Sequence, residues 1–223
     1  MIIINGAGSK LAQNYIEENQ NIEILAISRS SKFKYKNVKS VNSNSNSELL
    51  NILKTVDQDN LVWINFQTIK FNELITNTSI DNLKESFEVN FFRNFLAVQI
   101  LIPKMIKSQY GKFIFVDSVK AKKGDVGCVS YATTKAANRP LMQSVVNEYS
   151  RFNITCNTIS IGLADTPMFH SLPENKKKEL LKEVPGKKII DSNDINSAVR
   201  FILENDSING QTINLDGGML NSG

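Results

Sequence analysis

Tyr131 and Lys135 stand four residues apart in the segment SVKAKKGDVGCVSYATTK (residues 118–135), and Ser118 precedes the tyrosine by thirteen residues. On a helix a four-residue spacing puts two side chains on one face, one turn apart. A phenol, with an ordinary pKa of about 10, keeps its proton at neutral pH and gives it up reluctantly. A nearby ammonium favours the phenolate and makes that proton transferable. A serine hydroxyl aimed at the same point stabilises charge developing on an oxygen. The three residue types suit protonation of an alkoxide. Each also has a plainer role: buried anchor, surface amine, turn cap.

Such groups need elements to hold them. Short apolar, β-branched runs at residues 1–5, 22–28, 38–41, 61–65, 111–117, 154–160 and 211–215 read as strands. Most are apolar throughout, as expected of strands covered on both faces. Helical periodicity fills residues 10–19, 47–56, 80–107, 130–150, 173–183 and 192–204. In the longest of these, Leu83, Phe87, Phe91, Phe95, Val98 and Ile102 recur at spacings of three and four, predicting one buried stripe. Alternation of strand and helix predicts an α/β fold: a doubly wound parallel sheet of the Rossmann type, about seven strands, with helices on both faces. No repeat or linker divides the 223 residues, which make one domain. Ligands of such sheets bind beyond the carboxyl ends of the strands. Ser118 follows the run GKFIFVD (residues 111–117) and is therefore well placed.

The first strand runs directly into NGAGSKLA (residues 5–12). A helix N-terminus after a glycine-containing turn offers unpaired amides and a favourable dipole to a pyrophosphate. Gly6 suits the sharp turn and Gly8 a close backbone approach, with Ser9, Lys10 and Leu11 opening the helix. Lys10 and Ala12 occupy positions where further glycines are common; alone, the turn is also compatible with an ordinary strand–helix connection.

Taken in order, these segments resemble the short-chain dehydrogenase/reductase family, whose signature is Tyr-x-x-x-Lys with an upstream serine. NGAGSKLA takes the glycine-rich place, and WINFQT (residues 63–68) lies where Asn-Asn-Ala-Gly is usual. Asn90, twenty-five residues after Asn65, stands where the family has a fourth catalytic residue. NTISIGLADTPM (residues 157–168) is similar to the segment before the substrate lid, and GQTINLDGG (residues 210–218) to the closing strand and tail. The resemblance implies an NAD(P)-dependent ketoreductase, nearest in pattern to 3-oxoacyl-acyl-carrier-protein reductases. It assigns catalysis to Asn90, Ser118, Tyr131 and Lys135, with Asn90 holding a water that relays protons to Lys135. It assigns cofactor contacts to Gly6, Gly8, Ser9, Lys10, Leu11, Ser28, Arg29, Asn65, Phe66, Tyr131, Lys135, Gly162 and Thr166. A homodimer or homotetramer is implied as well.

The second strand ends in Ser28 and Arg29, where an acid would bind the adenosine ribose hydroxyl of NADH. A guanidinium instead suits a 2′-phosphate, with Lys32, Lys34 and Lys10 adding charge, so NADPH is expected over NADH. Arg29 covering the sheet edge is the structural alternative. KAKK (residues 120–123) and the lysines at 176–188 border the expected mouth, favouring an anionic or carrier-bound substrate. His170 falls in the lid.

Three departures stand out. Phe66 and Thr68 replace small residues, Ile161 replaces a proline, and Pro140 is expected to kink the helix after Lys135. These keep open a second reading, a nucleotide-binding regulator that kept the fold and lost turnover. A net charge of +4 without a recognisable module excludes dedicated nucleic-acid binding, and no run is long enough for a membrane span. Neither a metal site nor a disulfide framework is expected from Cys128 and Cys156. The opening residues carry no leader pattern, and a cytoplasmic location is expected.

Overall fold

The computed structural model describes residues 1–30 and 32–221. Seven parallel strands form one sheet in the order β3-β2-β1-β4-β5-β6-β7. They are β1 (Ile2–Asn5), β2 (Ile24–Ser28), β3 (Val38–Asn42), β4 (Leu61–Asn65), β5 (Gly111–Ser118), β6 (Ile154–Ile161) and β7 (Thr212–Leu215). Every predicted strand is present. The chain reverses direction between β1 and β4, so the switch point lies at their carboxyl ends.

Two cores flank the sheet. Helices α1 (Lys10–Glu18) and α9 (Ser192–Glu204) bring Ile16, Ile195 and Val199 against Ile2, Ile4 and Ile114. On the opposite face α2 (Asn46–Lys54), α4 (Arg93–Ser108) and α6 (Asn138–Tyr149) bring Leu49, Leu101 and Val145 against Ile3, Trp63 and Phe113. Alternation along each strand explains the division: odd-numbered residues of β5 face the second core and even-numbered ones the first. Both faces are covered, which accounts for the continuous apolar runs.

The helix predicted over residues 80–107 is interrupted. It comprises α3 (Ile80–Phe87), a π-helical segment Glu88–Phe92, and α4. The buried row runs through Ser86, Asn90, Asn94, Ala97 and Leu101, one position away from the expected aromatic stripe. Phe87, Phe91 and Phe95 therefore lie on a flank, where Phe91 stacks on Phe95 and Phe95 is 44% exposed. The reason is chemical: the sheet-facing positions of this helix are polar because they serve the site, so counting apolar residues tracks the wrong face.

The helix predicted over residues 130–150 likewise divides into α5 (Val129–Ala136) and α6, with the break at Ala137. Pro140 has no N–H for the Ala136 carbonyl, which accounts for the expected kink just beyond Lys135. Short α7 (Pro167–His170) and α8 (Glu174–Lys182) form the lid region.

Candidate functional site

The glycine-rich turn is shaped as much by its protein neighbours as by any ligand. Gly6 has φ 79°, and a Cβ there would lie 2.4 Å from the Gln67 amide nitrogen. No side chain fits between this turn and the one that follows β4. Ser9 caps α1, its Oγ accepting from the Ala12 amide at 3.2 Å, and Leu11 packs on the first core. The Ser9 amide is taken up by the Gly6 carbonyl at 3.0 Å, so what the helix start offers a phosphate here is the Leu11 backbone N–H. Gly8 is exposed at the tip. This cradle fits a dinucleotide pyrophosphate.

Lys10 is engaged away from the adenosine end in this structure. Its ammonium lies 2.9 Å from Asp165 Oδ2, tying the turn to the segment after β6, and Asp165 also bonds His170 Nε2. The Lys10 ammonium, and then His170, hold the Asp165 carboxyl below the usual carboxylate range. Thr166 next door caps α7, accepting from the Phe169 amide. Gly162 sits where a Cβ would meet Asp216 Cα at 2.8 Å, so the close approach there is to the chain's own tail.

At the ends of β2 and β3, Ser28 is buried and Arg29 exposed. Sequence reasoning missed Arg93, which the interrupted helix delivers here. Its Nη1 is 3.4 Å from Ser43 Oγ, and its Nε is buried without a hydrogen-bond partner among the described residues. Burial lowers the proton affinity of this guanidinium; Glu48 opposes that and the charge of Arg29 adds to it. Two guanidiniums that repel each other make an anion welcome.

Phe66 does not face a cofactor. It is buried in the first core, on the sheet face covered by α1 and α9. Asn65 is fully buried too, holding the turn beneath the cradle by accepting from the Gln67 amide at 3.0 Å. In both cases the strand's alternation, continued one residue past β4, sends the side chain inward.

Asn65 also belongs to a line of buried carboxamides under the carboxyl ends of the strands. Asn5 Nδ2 donates to Asn65 Oδ1 (2.9 Å), Asn65 Nδ2 to Asn94 Oδ1 (2.8 Å), and Asn94 Nδ2 to Asn138 Oδ1 (3.0 Å). Asn138 Nδ2 then donates to Asp117 Oδ1 (3.0 Å). Every N–H in the line points toward Asp117, so the dipoles add in favour of a carboxylate there. Asp117 in turn meets Lys135, whose Nζ is 3.4 Å from Asp117 Oδ1 and donates to the Val116 carbonyl at 2.7 Å. Neither Asp117 nor Asn138 was anticipated; an acid directly before the serine of a site strand was the available signal.

Ser118 ends β5 and caps the following turn, accepting from the Lys120 amide at 3.3 Å. With Asp117 and Lys135 it lines a cavity of about 420 Å³. Tyr131 lies one turn before Lys135 on α5, half-buried, with the Lys70 ammonium 5.8 Å from its ring centroid. Asn90 sits in the π-helical segment, where its side chain pairs with both backbone groups of Ile69 (2.8 and 3.0 Å) and donates to Thr134 Oγ1 (3.0 Å). The Asn90 backbone carbonyl accepts from Asn138 Nδ2 at 3.3 Å. Ser118 and Lys135 thus share one cavity, with Tyr131 on the same helix and Asn90 against its next turn.

Four lysines of the basic rim are paired with acids. Lys120 meets Asp125, Lys176 meets Glu179, Lys177 meets Glu174, and Lys188 meets Asp194. Exposed pairs of this kind are weak and exchangeable. Among the described residues no helix is long and apolar enough to cross a membrane, and no cluster of three potential metal ligands occurs.

Comparison with known proteins agrees with this geometry. Residues 4–220 match a family model described as enoyl-(acyl carrier protein) reductase. A 3-oxoacyl-[acyl-carrier-protein] reductase, FabG, of Rickettsia bellii is 26% identical, over 95% of this chain and 88% of its own. Among solved structures, ElxO with NADP bound superposes with a TM-score of 0.88 at 18% identity, covering 99% of this chain and 98% of its own. A short-chain dehydrogenase family protein of Francisella tularensis gives 0.86, also at 18% identity and over 99% and 98% of the two chains.

Proposed function

This chain belongs to the short-chain dehydrogenase/reductase family, and from that premise we propose that it is an NADPH-dependent reductase of carbonyl compounds. It is an oxidoreductase with a nicotinamide cofactor. The observation that carries the finer reading is the meeting of β5 and α5. Ser118 and Lys135 line one cavity beside β5, and Tyr131 stands one turn from Lys135.

When bound, NADPH supplies the hydride. Ser118 binds the substrate oxygen, and its hydroxyl stabilises the charge that grows there. Tyr131 delivers its proton to that oxygen, and Lys135 favours the phenolate left behind. Asn90 braces the turn of α5 between them through Thr134. Arg29, with Arg93 behind it, receives the adenosine 2′-phosphate, which supports NADPH over NADH. A hydroxyl, a phenol and an ammonium together suit a developing alkoxide, so the bond reduced is a carbonyl. The paired lysines of the rim can exchange their acids for an anionic or carrier-bound substrate. The half-exposed row Phe91, Phe92 and Phe95 supports an assembly of like copies, to be weighed by analytical ultracentrifugation.

The experiment is NADPH oxidation at 340 nm with acetoacetyl thioesters, including an acyl-carrier-protein thioester, and a panel of small ketones. Tyr131→Phe should bind NADPH as the parent does and lose about a hundredfold or more in turnover. NADPH binding with no turnover of any substrate would favour the regulator reading instead.

A further inference from the structure

The side chain opposite Lys135 is unusual for its position. Asp117 is buried, and its charged neighbours can be named from each element packed on it. Lys135 of α5 touches it; Cys156 of β6 lies close enough for the carboxylate to oppose thiol ionisation; Arg139 of α6 and Lys122 of the turn after β5 share its cavity. The Asn90 carbonyl is taken up by Asn138. The cavity, by contrast, reaches Asp117 and Lys135 directly and opens between the exposed side chains of Lys122 and Arg139. Ser160 lines it as well, buried, its Oγ without a hydrogen-bond partner among the described residues. A buried unpaired hydroxyl facing an open space of that size, beside a carboxylate and an ammonium, calls for water.

We propose that Asp117 is a positioning residue that returns protons to Lys135 from water in this cavity. The inference rests on the reductase reading. In each reduction hydride passes from NADPH to the carbonyl carbon, so the cofactor is oxidised and the carbonyl reduced. The substrate oxygen then takes the Tyr131 proton, and the phenolate takes one from Lys135, leaving a neutral amine beside a carboxylate. Loss of the ammonium removes what held Asp117 ionised. The carboxylate now takes a proton from cavity water, whose hydroxide leaves through the open mouth and is neutralised by a solvent proton; the new carboxyl O–H then breaks in favour of the Lys135 amine, and the original ion pair is restored. One proton enters from solvent per turnover, and no other reactant is consumed. Burial lifts the proton affinity of Asp117, against the pull of Lys135 and Asn138, which brings it closer to working pH.

Two full-length variants test the idea. Asp117→Asn keeps shape and hydrogen bonding but cannot carry the proton, whereas Asp117→Glu can. The asparagine variant should slow reduction about tenfold or more, change its pH profile and enlarge the solvent deuterium isotope effect, and the glutamate variant should recover part of the rate. NADPH affinity, followed by fluorescence, should stay within about threefold in both, since a positioning group of this kind does not touch the cofactor. A readout free of turnover is carboxyl carbon NMR of the cofactor-free protein. The signal absent from Asp117→Asn should titrate above the other aspartates, and higher still in Lys135→Met.

If Asp117→Asn does not fold, Ser160→Val, which removes the hydroxyl that would hold the cavity water and leaves the charges in place, should give the same enlarged isotope effect. Parental rate, pH profile and isotope effect in whichever variant folds would overturn the relay. Failure of the parent to oxidise NADPH with any carbonyl would instead defeat the reductase reading, and the NMR titration would still show whether Asp117 and Lys135 exchange charge.

Discussion

The Lys135 ammonium lies 3.4 Å from the Asp117 carboxylate, with both side chains buried. A lysine anticipated as half of a Tyr–Lys pair is thus also half of an internal ion pair. Removing one partner of such a pair leaves a charge stranded in a poor solvent, which costs about 3 kcal/mol or more. Asp117→Leu should therefore lower the unfolding free energy by about that amount in urea titrations at pH 7. Lys135→Leu should do the same, and the double variant should recover part of the loss.

The same carboxyl predicts how stability changes with pH. Burial, the largest influence, raises its proton affinity in the folded chain above the ordinary value of 3.8. The folded state then binds a proton more readily than the unfolded one, so this group's contribution is most favourable below that value. It declines as pH rises through the folded pKa. Unfolding free energies of the parent and Asp117→Asn, measured from pH 4 upward, should differ by an amount that changes across that window. Parallel curves would show that Asp117 titrates alike in both states.

Lys10 and Arg29 separate in their effects on cofactor choice. Arg29→Ser should reduce the preference for NADPH over NADH by about tenfold or more, since a charge-assisted contact to a phosphate is worth about 1.5–3 kcal/mol. Lys10→Ala should leave that preference unchanged, because its ammonium is engaged with Asp165 across the cleft. The Asp165 carboxyl titrates below its ordinary range, so the Lys10 bridge persists at neutral pH. Its contribution is lost only as pH falls through the lowered pKa, below 3.8. Dissociation constants for both cofactors, by fluorescence, check the two selectivity statements, and unfolding free energies of Lys10→Ala against the parent at acid pH check the third.

Gly6 admits no side chain. Its left-handed backbone and the 2.4 Å approach of a Cβ to the Gln67 nitrogen together predict a loss of about 3 kcal/mol for Gly6→Ala. Circular dichroism melts of the cofactor-free protein should register it. A loss confined to cofactor affinity would mean that the turn is shaped for the ligand alone.

Much of this protein was legible from residue order. The seven strands are short β-branched runs whose period is fixed by local sterics, and the glycine turn, the tyrosine and the lysine sit at spacings a single helix or turn dictates. The helix break at Ala137 follows from a proline whose missing N–H is a property of that residue alone. Less legible was which side of an element faces inward where the buried face is polar. Apolar periodicity put Phe87, Phe91 and Phe95 toward the core, yet the inward positions hold Asn90 and Asn94.

Tertiary structure alone decided how the polar groups are paired. Asn5, Asn65, Asn94, Asn138 and Asp117 come from five elements spread over most of the chain, and they form one line only when the sheet sets those elements side by side. Lys10 was drawn to Asp165 rather than toward the adenosine end for the same reason. A charge takes the partner that folding brings within a few ångströms, and that distance is not written in sequence separation. Local sterics and apolar period set the scaffold; long-range electrostatics, available only after the scaffold closes, set the chemistry of the site.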